Sequence, residues 1–178
     1  MDFRFVAPNL RSLDTTGAEL LACAIWQDER PMRGVAGLLD WRLAGTLSQL
    51  ERRGLLKGEL GEVVFVPGRP RLAFEKLLVF GLGARSGFGE GTFRTVVSHM
   101  LRALEGLKVR RAVVELPGRG DGILEAERAC ELVLECVGDS QAHDAWWLVE
   151  PPEAQRRISD RALDERRRSR FNAPADRP

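Results

Sequence analysis

Three short apolar runs punctuate the chain: LLACAIW at residues 20–26, KLLVF at 76–80 and RAVVEL at 111–116. Hydrophobicity that is continuous rather than alternating marks a strand buried on both faces, as in a parallel sheet covered by helices. Residues 3–6 and 62–66 add shorter strand candidates, the first ending at Pro8-Asn9 and the second at Pro67-Gly68. Residues 146–149, closed by Pro151-Pro152, predict a last strand. Helical spacing fills the intervals. Leu39, Leu43, Leu47 and Leu50 recur at three and four and predict a helix over 38–53, stopped by Gly54. Behind a possible cap at Thr92, the residues Phe93, Val96, Val97, Met100, Leu101, Leu104 and Leu107 form one stripe. Residues 122–137 predict another helix, with Ile123, Ala126, Cys130, Val133, Leu134 and Val137 inward, and 153–168 predict a final one. Strands alternating with helices predict a three-layer α/β/α sandwich with a mixed, mostly parallel central sheet. The sheet is mixed because no helix separates the strands at 62–66 and 76–80.

Composition narrows the classes. The chain has 178 residues, 44% hydrophobic and 30% charged, enough for one domain with a real core. A net charge of +1 excludes a bulk-basic nucleic-acid binder. Three cysteines at unpatterned spacing, Cys23, Cys130 and Cys136, make neither a disulfide framework nor a zinc ribbon. No secretory signal or membrane-length apolar stretch is read, so a cytoplasmic protein with no membrane partner is expected. Residues 155–178 change character: eight arginines and four acids give that segment +4. The organisation expected is a domain over 1–152 followed by an Arg-rich helix and tail over 153–178. Contact with nucleic acid or an acidic partner is left to that tail, through Arg166, Arg167 and Arg168.

Candidate chemistry concentrates in glycine-rich loops. Between a strand and a helix run Gly81, Gly83, Arg85, Ser86, Gly87 and Gly89, where backbone amides and a helix N-terminus could meet a phosphate. The spacing is one residue too long for a dinucleotide fingerprint, and Glu115 lies too far on to be its acid. No Walker loop, Gly-x-Ser-x-Gly or His-Glu-x-x-His occurs. A second small-residue loop, Gly34-Val35-Ala36-Gly37, also joins a strand to a helix. Side by side at the carboxyl edge of a sheet, the two loops would make a ligand site. His99 and His143 have no evident catalytic or metal partner, so no catalytic residue, metal or cofactor is expected. The adjacent Trp146 and Trp147 place one indole on each face of a strand, which suggests a surface for self-association.

The ordered pieces resemble a known family. Gly34-Val35-Ala36-Gly37, then Lys57-Gly58-Glu59-Leu60-Gly61, then Leu78-Val79-Phe80-Gly81-Leu82-Gly83, and finally Val113-Val114-Glu115-Leu116-Pro117 follow the N-terminal domain of the leucyl (cytosol) aminopeptidases over residues 3–149. The resemblance implies a macro-domain-like fold. In macro domains a Gly-Val-Ala-Gly loop holds the diphosphate of ADP-ribose, and their second phosphate loop would fall near residues 86–89. Their early asparagine-rich strand end is replaced by Gln27-Asp28-Glu29. The family's two-metal chemistry belongs to a C-terminal domain whose Asn-Thr-Asp-Ala-Glu-Gly-Arg motif is absent from these residues. In full-length relatives the N-terminal domain serves assembly and, in some, DNA contact. The resemblance therefore implies a non-catalytic regulatory, interaction or oligomerisation module with a protein partner or a second copy. Two alternatives stand beside it: binding of ADP-ribose or a related nucleotide at the two loops, and a subunit or fragment of a split aminopeptidase.

Overall fold

A computed structural model of the chain describes residues 2–138 and 142–171, with side chains as far as residue 161. In chain order its elements are β1 (Asp2–Val6), α1 (Leu10–Asp14), β2 (Leu20–Ile25), α2 (Gly34–Arg42), α3 (Thr46–Arg52), β3 (Val63–Pro67), β4 (Lys76–Gly81), a 3-10 turn (Arg85–Gly87), α4 (Glu90–Gly106), β5 (Arg111–Val114), α5 (Ala126–Val137), β6 (Ala145–Val149) and α6 (Pro152–Phe171). The strands form one sheet in the order β1-β6-β5-β2-β4-β3. Every neighbouring pair is parallel except β3 with β4. The fold is the expected three-layer sandwich around a mixed sheet.

Burial explains the apolar runs. β2 sits in the middle, and alternate residues feed opposite cores. Leu20 and Ala22 join Phe80, Val114 and Trp146 beneath α4 and α5. Leu21, Cys23 and Ile25 join Val79 and Val113 beneath α1, α2 and α3. Such a strand has no solvent face and cannot alternate.

Three readings need correction. The helix predicted over 38–53 is two helices, α2 and α3. Ala44 and Gly45 between them take φ of 54° and 79°, in the left-handed region that ends a helix. Asp40 then caps α3, accepting from the backbone N–H groups of Leu47 (2.7 Å) and Ser48 (3.1 Å). The inward stripe of α5 is rotated from its expected position. Ala126, Ala129, Leu132, Val133 and Val137 are buried, whereas Ile123 and Leu134 are exposed. On α4 the stripe holds from Phe93 to Leu104, but Leu107 beyond the last turn is exposed, and Gly89 rather than Thr92 occupies the cap.

Candidate functional site

The parallel strands β1, β6, β5, β2 and β4 all end at one edge of the sheet, the place where open α/β folds gather ligand-binding loops. Two apolar runs end there in a glutamate: Glu115 directly after β5 and Glu150 directly after β6. Both carboxylates are buried. A cleft of about 420 Å³ opens between them, walled by Pro8, Gly34, Val35, Leu38 and Pro151, within the range of small-molecule sites. A smaller recess of about 30 Å³, bordered by Trp26, Glu29 and Asp121, shares Gly34 and Glu115 with it. It has room for one or two waters.

The two glutamates are held differently. Arg119 grips Glu150 with both ends of its guanidinium, at 2.7 and 2.8 Å, and the two side chains are 8% and 1% exposed. That is a desolvated bidentate pair. Glu115 has no such cation among the described residues. Its Oε1 accepts from the Val35 N–H at 3.3 Å, at the first turn of α2. Burial pushes its carboxyl up to about 7, and the nearby Asp121 and Glu150 charges add to the rise against the pull of the Val35 and Ala24 amides. A Cβ on Gly34, where φ is +59°, would stand 3.0 Å from that same oxygen. The glycine therefore lets the carboxylate come up to the helix end.

The rim is cross-tied. Trp26 donates its indole N–H to Asp121. Arg85 pairs with Asp121 at 3.1 Å and with Glu29, and its guanidinium lies over the Trp26 ring, 5.3 Å from the centroid. Trp26 meets Phe88 edge-on with centroids 5.0 Å apart. The loops after β2, β4 and β5 are thereby joined through one arginine and one tryptophan.

The proposed loop residues divide among several places. Gly34 and Val35 line the cleft; Ala36 is buried on the inner face of α2, and Gly37 abuts the backbone of Met32. Gly81 and Gly83 instead seal β4 against the turn at residues 58–60. A Cβ on Gly81 would fall 2.0 Å from the Glu59 carbonyl, and the Gly83 N–H donates to Gly58 at 2.8 Å. Arg85 is spent on acids at the rim, while Ser86 and Gly87 are exposed and Gly89 caps α4, outside both cavities. The loop that does face Gly34 across the cleft is the one after β5, with Gly118, Arg119, Gly120 and Asp121. Sequence reading passed it over, although three glycines between a strand and a helix, at 118, 120 and 122, were the signal.

Other candidates are structural. Cys23 is buried, and burial raises its thiol well above the usual range. His143 is buried with its Nδ1 2.9 Å from the Val109 carbonyl. No cluster of three metal-ligating side chains occurs among the described residues. Trp146 is wholly buried, and Trp147 is half-buried on the opposite face with the Arg4 guanidinium 5.0 Å over its ring. Neither is a free apolar surface. Trp41 is 76% exposed on α2. The side chains of Arg166, Arg167 and Arg168 lie outside the described residues. No helix among the described residues is long and apolar enough to cross a membrane.

Comparison with known proteins places this architecture. A probable cytosol aminopeptidase of Halorhodospira halophila is 34% identical over 111 residues, 61% of this chain and 22% of that protein. One of Thioalkalivibrio sulfidiphilus is 30% identical over 96 residues, 52% of this chain and 19% of that protein. The chain thus spans about a fifth of the length of the curated relatives it matches. Among solved structures, a Trypanosoma brucei macrodomain in complex with ADP-ribose has a TM-score of 0.68 at 15% identity, with 89% of this chain and 67% of that one covered. The macrodomain of Thermus aquaticus DarG gives 0.64 at 17% identity, covering 84% and 99%. A mutant of tomato leucine aminopeptidase gives 0.61 at 17% identity, covering 89% of this chain and 35% of that one. These likenesses show the macrodomain fold. With the family model for the N-terminal domain of cytosol aminopeptidases matching residues 23–138, well over half its length, the chain belongs to the cytosol aminopeptidase family through that domain.

Proposed function

We propose that this domain is a non-catalytic binding and assembly module, and that its sheet-edge cleft does not take a nucleoside diphosphate once Glu115 is ionised, as at pH 8. The observation that carries the reading is Glu115. Its carboxylate occupies the N-terminus of α2 against Gly34 and Val35, the turn whose macrodomain counterpart is a diphosphate loop. A helix N-terminus attracts anions, and here an internal anion already sits there, with Asp121 and Glu150 close behind it. A diphosphate entering the same turn would meet like charge in a desolvated setting. One further fact supports a non-catalytic role: the matched part of the family is the N-terminal domain.

The test is a titration with ADP-ribose at pH 8, followed by melting temperature. A ligand at 100 times its dissociation constant adds about 2.7 kcal/mol. In a domain of this size that moves the midpoint by roughly 5–10 °C. The expected result is no saturable shift at millimolar ligand; a saturable shift at pH 8 would overturn the reading. A second reading keeps the nucleotide. It is favoured by the cleft of about 420 Å³ and by Glu115, which loses its charge below a pH of about 7. That reading requires a shift at pH 6 that disappears at pH 8.

A further inference from the structure

We propose that the free edge of β3 is a self-complementary surface on which a second copy of this chain docks, extending the sheet across a two-fold axis. The inference rests on the assembly reading above and names its surface. β3 is the outermost strand of the sheet. Its hydrogen bonds to β4 fix which backbone groups remain. The Gly81 N–H donates to Glu62 and the Gly68 N–H to Glu75, both at 2.9 Å, so the even positions point at β4. In an antiparallel ladder the intervening residues point the other way. The N–H and C=O groups of Val63 and Phe65, and the carbonyl of Pro67, therefore face the open edge. The side chains of Val63 and Phe65 are 42% and 51% exposed. An apolar edge of this kind is a template for another strand unless something covers it.

The sequence around the strand says what covers it. The segment reads ELGEVVFVPGRPR over residues 59–71: acids at one end, Glu59 and Glu62, and arginines at the other, Arg69 and Arg71. Among the described residues no ion pair occupies Arg69 or Arg71, while Glu59 meets Lys57 only in a solvated contact at 3.6 Å and Glu62 accepts from the Lys57 and Gly58 amides, so both acids keep their charge. Set antiparallel to itself, the strand brings the turn that carries each copy's arginines to the turn that carries the other's acids. A parallel arrangement would oppose like charges instead. With Phe65 opposite Phe65, the central pair exchanges two hydrogen bonds. Each Val63 N–H then reaches the partner's Pro67 carbonyl, and the two phenyl rings become cross-strand neighbours. Pro67, lacking an N–H, ends the ladder at that point and disfavours longer registers. The surface is small, so the association is expected in the micromolar range rather than tighter.

The test is the mass of the full chain in solution by sedimentation over roughly 10–200 µM, the range that a micromolar constant requires. The expected result is a shift from 19.9 kDa towards twice that mass. Phe65→Lys should return the chain to a monomer while leaving its melting temperature within a degree or two, because the side chain points outward. Charge supplies the second arm. The double variant Arg69→Glu with Arg71→Glu, and separately Glu59→Arg, should each be monomeric alone. Mixed, they should form a heterodimer, since both charged contacts are then restored. A chain that stays monomeric at 200 µM overturns the inference. So does a dimer that survives Phe65→Lys, which would leave the assembly reading standing on some other surface. Failure of the mixed pair to associate overturns the two-fold register. The nucleotide titration reports on the cleft independently of all these outcomes.

Discussion

Replacing Glu115 with glutamine removes a charge from a buried site while keeping an oxygen that can accept from Val35. The unfolded carboxyl ionises at 4.5 and the folded one at about 7. Between those values the folded chain holds a proton that the unfolded chain has lost. Stability is therefore highest below pH 4.5 as far as this group is concerned, falls as pH rises through about 7, and is flat above. A gap of about 2.5 pH units corresponds to roughly 3 kcal/mol, all of it lost by pH 8. Glu115→Gln should escape that loss. At pH 8 its midpoint should lie above that of the parent by roughly 6–12 °C, at 2–4 °C per kcal/mol for a chain of this length. At pH 4.5 the two should nearly coincide. The assay is thermal unfolding followed by circular dichroism between pH 4.5 and 8.5 at fixed ionic strength. Parallel curves for the two proteins across that range would refute the account of the cleft, because they would mean that Glu115 titrates as an ordinary exposed carboxyl.

Three further outcomes follow from the same packing. Arg119→Met strands the Glu150 carboxylate in a buried site and should cost about 3–5 kcal/mol; urea unfolding measures it, and adding Glu150→Leu should recover most of the loss. Gly81→Ala drives a methyl group into the Glu59 carbonyl and should destabilise by about 1–3 kcal/mol, again read from the urea midpoint, whereas Gly87→Ala, with open space around it, should be nearly silent. Cys23 is buried with a raised thiol, so a thiol reagent should modify Cys130 and Cys136 in the native protein and reach Cys23 only on unfolding.

What the chain reveals by inspection depends on whether a residue's environment is local. The strands β2, β4 and β5 were legible because burial on both faces leaves a continuous apolar signature. The order of motifs carried the family. The break between α2 and α3 was not legible, because its cap comes from Asp40, seven residues before the amide it serves. The face of α5 was misread because Ala129 and Cys130 are equally plausible inward residues until the sheet is in place. The cleft was half legible. Gly34 and Val35 line it, but the second wall was sought at residues 81–89, where glycines pack on a neighbouring turn. The signal lay in two apolar runs that each end in an acid, RAVVE and WWLVE. A single acid after a strand is common; only the parallel arrangement of β5 beside β6 brings this pair to one cleft.

The attachment of α6 carries a consequence for how the molecule comes apart. Among its described side chains the apolar anchorage is slight: Ala154 and Ile158 against Ala126, with Phe5 and Cys130 at the margin. The other described side-chain contacts are polar: Gln155 donates to the Glu150 carbonyl at 2.7 Å, and Arg157 with Glu127 at 2.8 Å and Arg161 with Glu131 pair between partly or largely solvated partners. Contacts of that kind are screened by salt, whereas the two cores flanking the sheet are not. Raising ionic strength should loosen this helix first, as a separate cooperative unit. Hydrogen exchange in high salt would then show α6 amides opening well before those of β2, so that one chain behaves as a firm body carrying a detachable arm.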